Sequence, residues 1–254
     1  MTIKRHYGWS GTRPSNWTQP RYAAMAPVKV NHVDRLSIAR PIRDQGQEGA
    51  CTGFGSTGCV ETVLGLSYPL SAQMAYFNAR VPEASQNQDA GASVGDAVAG
   101  IVKYGCATEA IYPYVATLGY AVRPTVDAYV SGMDLKPKIK GVQQINGLSD
   151  LKHALANRLP VVFGFAVPDY FESDEVANTG WVRLPTARDQ FLGGHCVFAD
   201  GFDDRVAEPF IWAANSWSPD WGLQGWFKLD QKWFTDPRRL VDDAWVFIPA
   251  GSKP

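Results

Sequence analysis

The stretch Asp44–Phe54, DQGQEGACTGF, decides how the rest of the chain is read. Arg40–Gly49 carries Pro41, Asp44, Gly46 and Gly49 and reads as a loop. From Cys51 to about Leu66 the apolar pattern predicts a helix. That helix would contain Gly53, Gly55, Gly58 and Gly65. Each costs about 1 kcal/mol relative to Ala. A helix with so many glycines is tolerable only when buried, where small residues let neighbours approach. Cys51 opens this helix. Unpaired N–H groups and the dipole at a helix N-terminus favour an anion and so favour a thiolate. A free cysteine in such a place also reads as a small buried hydrophobe, and the thiol alone does not separate the two.

Upstream, residues 1–37 are rich in Pro, polar and basic residues and keep no period, so they read as an extended arm laid over a body. Residues 1–43 hold eight Lys/Arg (Lys4, Arg5, Arg13, Arg21, Lys29, Arg35, Arg40, Arg43) against Asp34 alone. That is +7, leaving −8 for the remainder of a chain whose net charge is −1. A basic arm can fold back onto an acidic body. The basic residues are scattered and the whole is slightly acidic, so nucleic acid is not an expected partner.

Downstream, residues 70–80 and 94–104 read as helices, the second stopped by Gly105. Ser149–Asn157 reads as a further helix with Ser149 as N-cap. Pro160–Val167, His195–Gly201, Phe210–Ala214 and Gly225–Leu229 read as strands. The chain is helical first and β-rich second. That is an α+β pattern of two lobes with a cleft between them. The divisions expected are the arm 1–37, a helical lobe 38–125 and a β-rich lobe 126–254.

The bulk composition fits this reading. The 254 residues are 45% hydrophobic and 19% charged, ordinary values for a folded domain. No apolar run reaches the length of a membrane span, and Met1–Ser10 has no apolar segment of a secretory signal. The four cysteines, Cys51, Cys59, Cys106 and Cys196, form no C-x-x-C pair and no zinc spacing. The expectation is a cytoplasmic protein without a metal, a cofactor or a membrane partner.

Four further residues extend the chemistry of Cys51. His195, in GGHCVFADG, follows two glycines at a strand start and has one open flank. Asn215, in AANSW, ends the next strand. Antiparallel pairing would bring its amide oxygen to the imidazole, fixing tautomer and orientation. Trp217 would shield that hydrogen bond from water. Gln45 could donate its amide N–H to a developing oxyanion beside the backbone N–H of Cys51. One such donor is typically worth about 3 kcal/mol.

These motifs together resemble the papain-like cysteine peptidases. Gly49-Ala50-Cys51 fits the core of the family's C-G-[SA]-C-[WY] segment, and His195 follows Cys51 by 144 residues and Asn215 by 164. NSWSPDWGLQGWFKL resembles the family's block after its asparagine. Leu70-Ser71-Ala72-Gln73 resembles L-S-x-Q, and YGCATEAIYPY (Tyr104–Tyr114) resembles a stretch ending in Tyr-Pro-Tyr. The similarity runs in order from about Pro41 to Phe247. It implies a two-lobe fold with a barrel-like second lobe. Cys51 would be nucleophile, His195 base, Asn215 orienter and Gln45 the oxyanion donor. The pair Cys51–His195 would sit as thiolate and imidazolium, and the substrate would be a peptide or protein. Gly91 and Ala92 would pair with substrate backbone, and Gly194 would border the groove. Asp243, beside Asp242, would line a side-chain pocket with a taste for Arg or Lys, or else be a solvated acid. Glu48 stands where the family has a disulfide cysteine, with Asp89 near its partner's place, and Thr52 replaces an aromatic residue. The arm is too short for the family's usual pro-region but could plug the cleft. The same residues would serve an acyl transferase. A non-catalytic member of the fold is the alternative from another class, and a Cys/His metal module lacks ligand spacing.

Overall fold

The computed structural model describes residues 5–11, 19–22, 29–35, 41–115 and 119–251. The remainder of the arm and the stretch 116–118 lie outside the described residues.

Helix α1 (Cys51–Val63) is the axis of the molecule. Ten of its thirteen residues are buried, which is why it shows no clean apolar stripe. Its glycines face backbone and rings. A Cβ on Gly53 would lie 2.4 Å from the carbonyl oxygen of Ala72, and one on Gly58 would lie 2.6 Å from the Phe198 ring. Close approach by two neighbours explains the propensity cost. Helix α2 (Ala72–Arg80) is capped by the Ser71 hydroxyl, which accepts from Met74 N–H. Helix α3 (Val94–Tyr104) is capped by Ser93 and ends at Gly105, whose φ of 72° suits glycine. Buried Arg80 donates to the carbonyls of Gln86 and Tyr120 and so ties the loop between α2 and α3 to the segment after α3.

The second half begins with α4 (Val126–Gly132), β2 (Ile139–Ile145) and α5 (Gly147–Ala156). The α5 helix starts earlier than expected: Asn146 rather than Ser149 precedes it, and Asp150 reaches back to accept from Asn146 N–H. There follow β3 (Val161–Pro168), α6 (Asp174–Thr179), β4 (Trp181–Val182), β5 (Phe191–Asp203), β6 (Phe210–Ala214), β7 (Trp226–Asp230) and β8 (Val241–Pro249). The strands run in the order β2-β8-β3-β5-β6-β7-β4, with β1 (His32–Val33) of the arm pairing β5. This path is open and mixed, antiparallel except for β4 on β7, so the barrel-like lobe expected is instead an open sheet.

Two apolar clusters fix the sheet. One lies within the β-rich half and includes Phe163, Phe165, Phe171, Phe227 and Trp233. The other joins α1 and α3 to the sheet through Val60, Ile101, Val162, Phe198 and Phe247. The N-terminus of α1 is therefore pressed against the middle of β5.

Candidate active site

Cys51 sits at the first position of α1, fully buried, and its thiol meets the backbone N–H groups of Thr52, Cys196 and Gly8. The Cys196 contact places the sulfur beside the residue that follows His195. His195 is held on β5 opposite Phe165 of β3. Pairing of β5 with β6, Phe198 opposite Ala214, carries Asn215 back to His195. The His195 Nε2 lies 2.8 Å from Asn215 Oδ1. The Ser216 N–H also reaches that oxygen, at 2.8 Å, so the amide is oriented with its oxygen toward the imidazole. Nε2 donates, and Nδ1 is the nitrogen left to exchange a proton. Trp217 covers this bond, its ring centroid 5.1 Å from that of His195 and its side chain 3% exposed.

Gln45 joins the loop before α1 to the segment after β6. Its backbone N–H donates to Ser216 O, and its side-chain oxygen accepts from Ser216 Oγ at 2.6 Å. Its Nε2 donates one hydrogen to Glu48 O at 2.7 Å, which leaves the second amide hydrogen for another acceptor. Asp89 holds the same loop, accepting from Gly49 N–H and, at 2.6 Å, from Tyr76 Oη. Glu48 meanwhile accepts from Tyr114 Oη. Hydrogen bonds to two carboxylates thus stand where the resemblance implies a disulfide, and all four cysteines are free and buried.

The arm crosses this site. Ala92 N–H donates to Gly8 O at 2.7 Å, and Ser10 N–H donates to Ala92 O at 3.1 Å, so Trp9 pairs parallel with Ala92. Trp9 N–H donates to Gly194 O at 3.0 Å. The expected groove residues Gly91, Ala92 and Gly194 are therefore brought together, but around the chain's own segment. Gly91, at φ 71°, has Gly8 O only 2.3 Å from where its Cβ would be. The strap is pinned on both sides by charge. Arg5 reaches Asp44 at 3.5 Å and stacks on Trp217, His6 meets Asp89 at 2.8 Å, and Tyr7 donates to Glu172. Sequence reasoning did not single out Tyr7, Gly8, Trp9, Glu172 or Gly164. The available signal was Tyr7-Gly8-Trp9, two large rings about a glycine in an otherwise polar, basic arm.

Burial acts on both titratable groups of the site. Burial pushes Cys51 up to about 11, the backbone N–H groups of Cys196, Gly8 and Thr52 offsetting only part of the desolvation. Burial pushes His195 down to about 4; the Asn215 bond opposes this and the Arg5 cation adds to it. In this closed form burial disfavours the charged state of both groups, acting on the thiol against the helix N-terminus.

Asp243 is neither a free pocket acid nor a solvated one. It is 3% exposed, and its carboxylate accepts from the Val94 and Gly95 N–H groups at the start of α3 and from Trp245 Nε1. Asp242 is the outward member of the pair and binds Arg239.

A family model described as papain family cysteine protease matches residues 26–235. The chain belongs to the papain family of cysteine proteases. It is 28% identical to an uncharacterised peptidase C1-like protein of Acanthamoeba polyphaga mimivirus, over 96% of this chain and 87% of that one. It is 23% identical to pro-cathepsin H of Bos taurus, over 90% of this chain and 68% of the relative. Its fold superimposes on xylellain, a cysteine protease from Xylella fastidiosa, with a TM-score of 0.84 at 24% identity, covering 97% of both chains. This peptidase therefore keeps the family's fold.

Proposed function

We propose that this cysteine peptidase hydrolyses peptide bonds through a thioester on Cys51, with His195 as base and acid, Asn215 as the positioning residue and Gln45 as oxyanion donor. The observation that carries the assignment is the Asn215-oriented imidazole of His195, next in the chain to the Cys196 N–H that meets the Cys51 thiol at the start of α1. In the first step the thiol proton passes to His195 Nδ1 and the sulfur attacks the carbonyl carbon. The oxyanion meets the Cys51 backbone N–H and the second Gln45 amide hydrogen. His195 returns its proton to the leaving amine as the C–N bond breaks. Water, deprotonated by His195, then cleaves the thioester and regenerates the thiol.

The same reading makes the arm a plug. Gly8 lies over the nucleophile and Trp9 occupies the adjoining pocket, so substrate reaches the site after residues 5–11 move away.

The experiment is intact-mass analysis after treatment with an epoxysuccinyl inhibitor, on wild type, Cys51→Ala and His195→Ala, each with and without residues 1–37. The expected result is one adduct at Cys51, formed faster without the arm and lost in both variants. Labelling spread over Cys59, Cys106 and Cys196 would overturn the nucleophile assignment. Unchanged or slower labelling without the arm would overturn the plug.

A further inference from the structure

We infer that the pocket holding Trp9 is built for an indole, with Gly164 and Gly194 as its walls and Asp243 as acceptor of the ring N–H, so that the substrate side chain it selects is tryptophan in preference to a basic residue. The inference rests on the hydrolytic reading above and names the substrate class of that site.

The walls come first. Gly164 on β3 lies opposite Cys196, two residues past Gly194 on β5, so the two glycines are diagonal neighbours on one face of the sheet. A Cβ on Gly164 would stand 2.1 Å from Trp9 Cε2 and 2.5 Å from its Nε1. A Cβ on Gly194 would stand 2.5 Å from Trp9 Cε3. The two absent side chains bracket both rings of one bicycle. Backbone walls of this kind suit a flat, wide side chain and give a narrow branched one little to touch.

The acceptor comes second. Trp9 Nε1 points to Asp243 Oδ2 at 3.4 Å. The same carboxylate already accepts from Val94 N–H at 2.6 Å, from Gly95 N–H at 3.2 Å and from Trp245 Nε1 at 2.8 Å. Its charge is thus met by the N-terminus of α3. One acceptor direction is left, and an indole brings one donor. A guanidinium brings five and would meet one free acceptor direction here. The geometry therefore reverses the basic preference that an acid at this position suggests.

The test uses the full chain with Trp9→Ala, which empties the pocket, alone and combined with Gly164→Ala. Gly8→Ala, which dislodges the strap while keeping Trp9, serves as a second route should Trp9→Ala fold poorly. Binding of N-acetyltryptophanamide, N-acetylphenylalaninamide and N-acetylargininamide is titrated directly. Cleavage of peptides carrying Trp, Phe or Arg at the varied positions is measured beside it. The expected result is tightest binding of the tryptophan amide, weakened roughly tenfold or more by Gly164→Ala, and highest kcat/KM for Trp peptides. Equal or tighter binding of the arginine amide, or indifference to Gly164→Ala, overturns the inference. Indole binding without any peptide cleavage keeps the pocket and defeats the hydrolytic reading. Cleavage without preference for Trp does the reverse.

Discussion

Gly8 passes so close over Gly49 that a Cβ on Gly8 would lie 1.7 Å from the Gly49 carbonyl oxygen. Gly49, two residues before the nucleophile, is held in turn by Asp89, so it is poorly placed to yield. Gly8→Ala should therefore lift the strap. Overpacking of this kind costs about 1–3 kcal/mol, which raises the open fraction on the order of tenfold to a hundredfold. The rate of epoxysuccinyl labelling at Cys51 should rise by that factor, toward the rate of the chain lacking residues 1–37. A rate equal to wild type would show that the strap is not what limits access.

Acid should open the closed form. Beside His195 the Asn215 amide oxygen favours an imidazolium and the Arg5 cation disfavours it, and removal of the ring from water, the largest effect, favours the neutral form. Burial holds the folded imidazole at about 4, below its ordinary 6.5. Between those values the unfolded or opened chain takes up a proton that the closed form refuses. The contribution to closed-state stability is complete above 6.5 and is lost as pH falls through that window to about 4. From about pH 7 to about pH 4.5 the unfolding midpoint of wild type should fall more than that of His195→Gln. Parallel profiles would place the acid sensitivity elsewhere.

Much of the fold could be read from single segments, and the failures have physical reasons. Helix α3 was legible end to end because its stop, Gly105, is local. Strand β6 matched Phe210–Ala214 residue for residue because both faces are largely buried. Strand β8 was legible only as a strand start at its two acids, since Asp242 and Asp243 interrupt its apolar run. Asp243 enters the interior only because α3 supplies N–H partners from a distant part of the chain. Strand β2, IKGVQQI, is mostly half-exposed and lacks a clear alternation. Cys51, His195, Asn215 and Gln45 were singled out by several motifs in order rather than by any one residue, and the structure sets Asn215 Oδ1 on His195 and the Gln45 side chain on Ser216. The strap over them was not, because its fit depends on glycines meeting across the fold: Gly8 with Gly49, and Trp9 with Gly164 and Gly194.

Removing the Asn215 amide should injure turnover more than binding. Asn215→Ala frees Nε2 of His195, so the ring can rotate and take the other tautomer. Trp217 still packs on the ring, so the imidazole stays in the site. With the strap removed, kcat should fall on the order of tenfold to a hundredfold while KM changes little. Asn215→Gln, one methylene longer, should not restore it, because Ser216 N–H fixes the oxygen at its present position. A change confined to KM would mean that Asn215 acts on substrate rather than through His195.

Asp89 should separate stability from closure. Its carboxylate accepts from Gly49 N–H and Tyr76 Oη, and Tyr76 Oη accepts in turn from Gly91 N–H, so one side chain braces the nucleophile loop and the groove edge. It also holds His6 of the strap. Asp89→Ala leaves the Gly49 N–H and the tyrosine hydroxyl short of a partner, at a cost of about 1–3 kcal/mol for each buried group left unpaired. A clear loss of denaturant midpoint is expected. Asp89→Asn keeps one acceptor oxygen for Gly49 and Tyr76 but loses the charge that favours His6. Its midpoint should stay near wild type while Cys51 labels faster. Equal destabilisation by both variants would show that charge, rather than an acceptor, braces the loop. An unchanged labelling rate in Asp89→Asn would show that His6 does not help hold the strap.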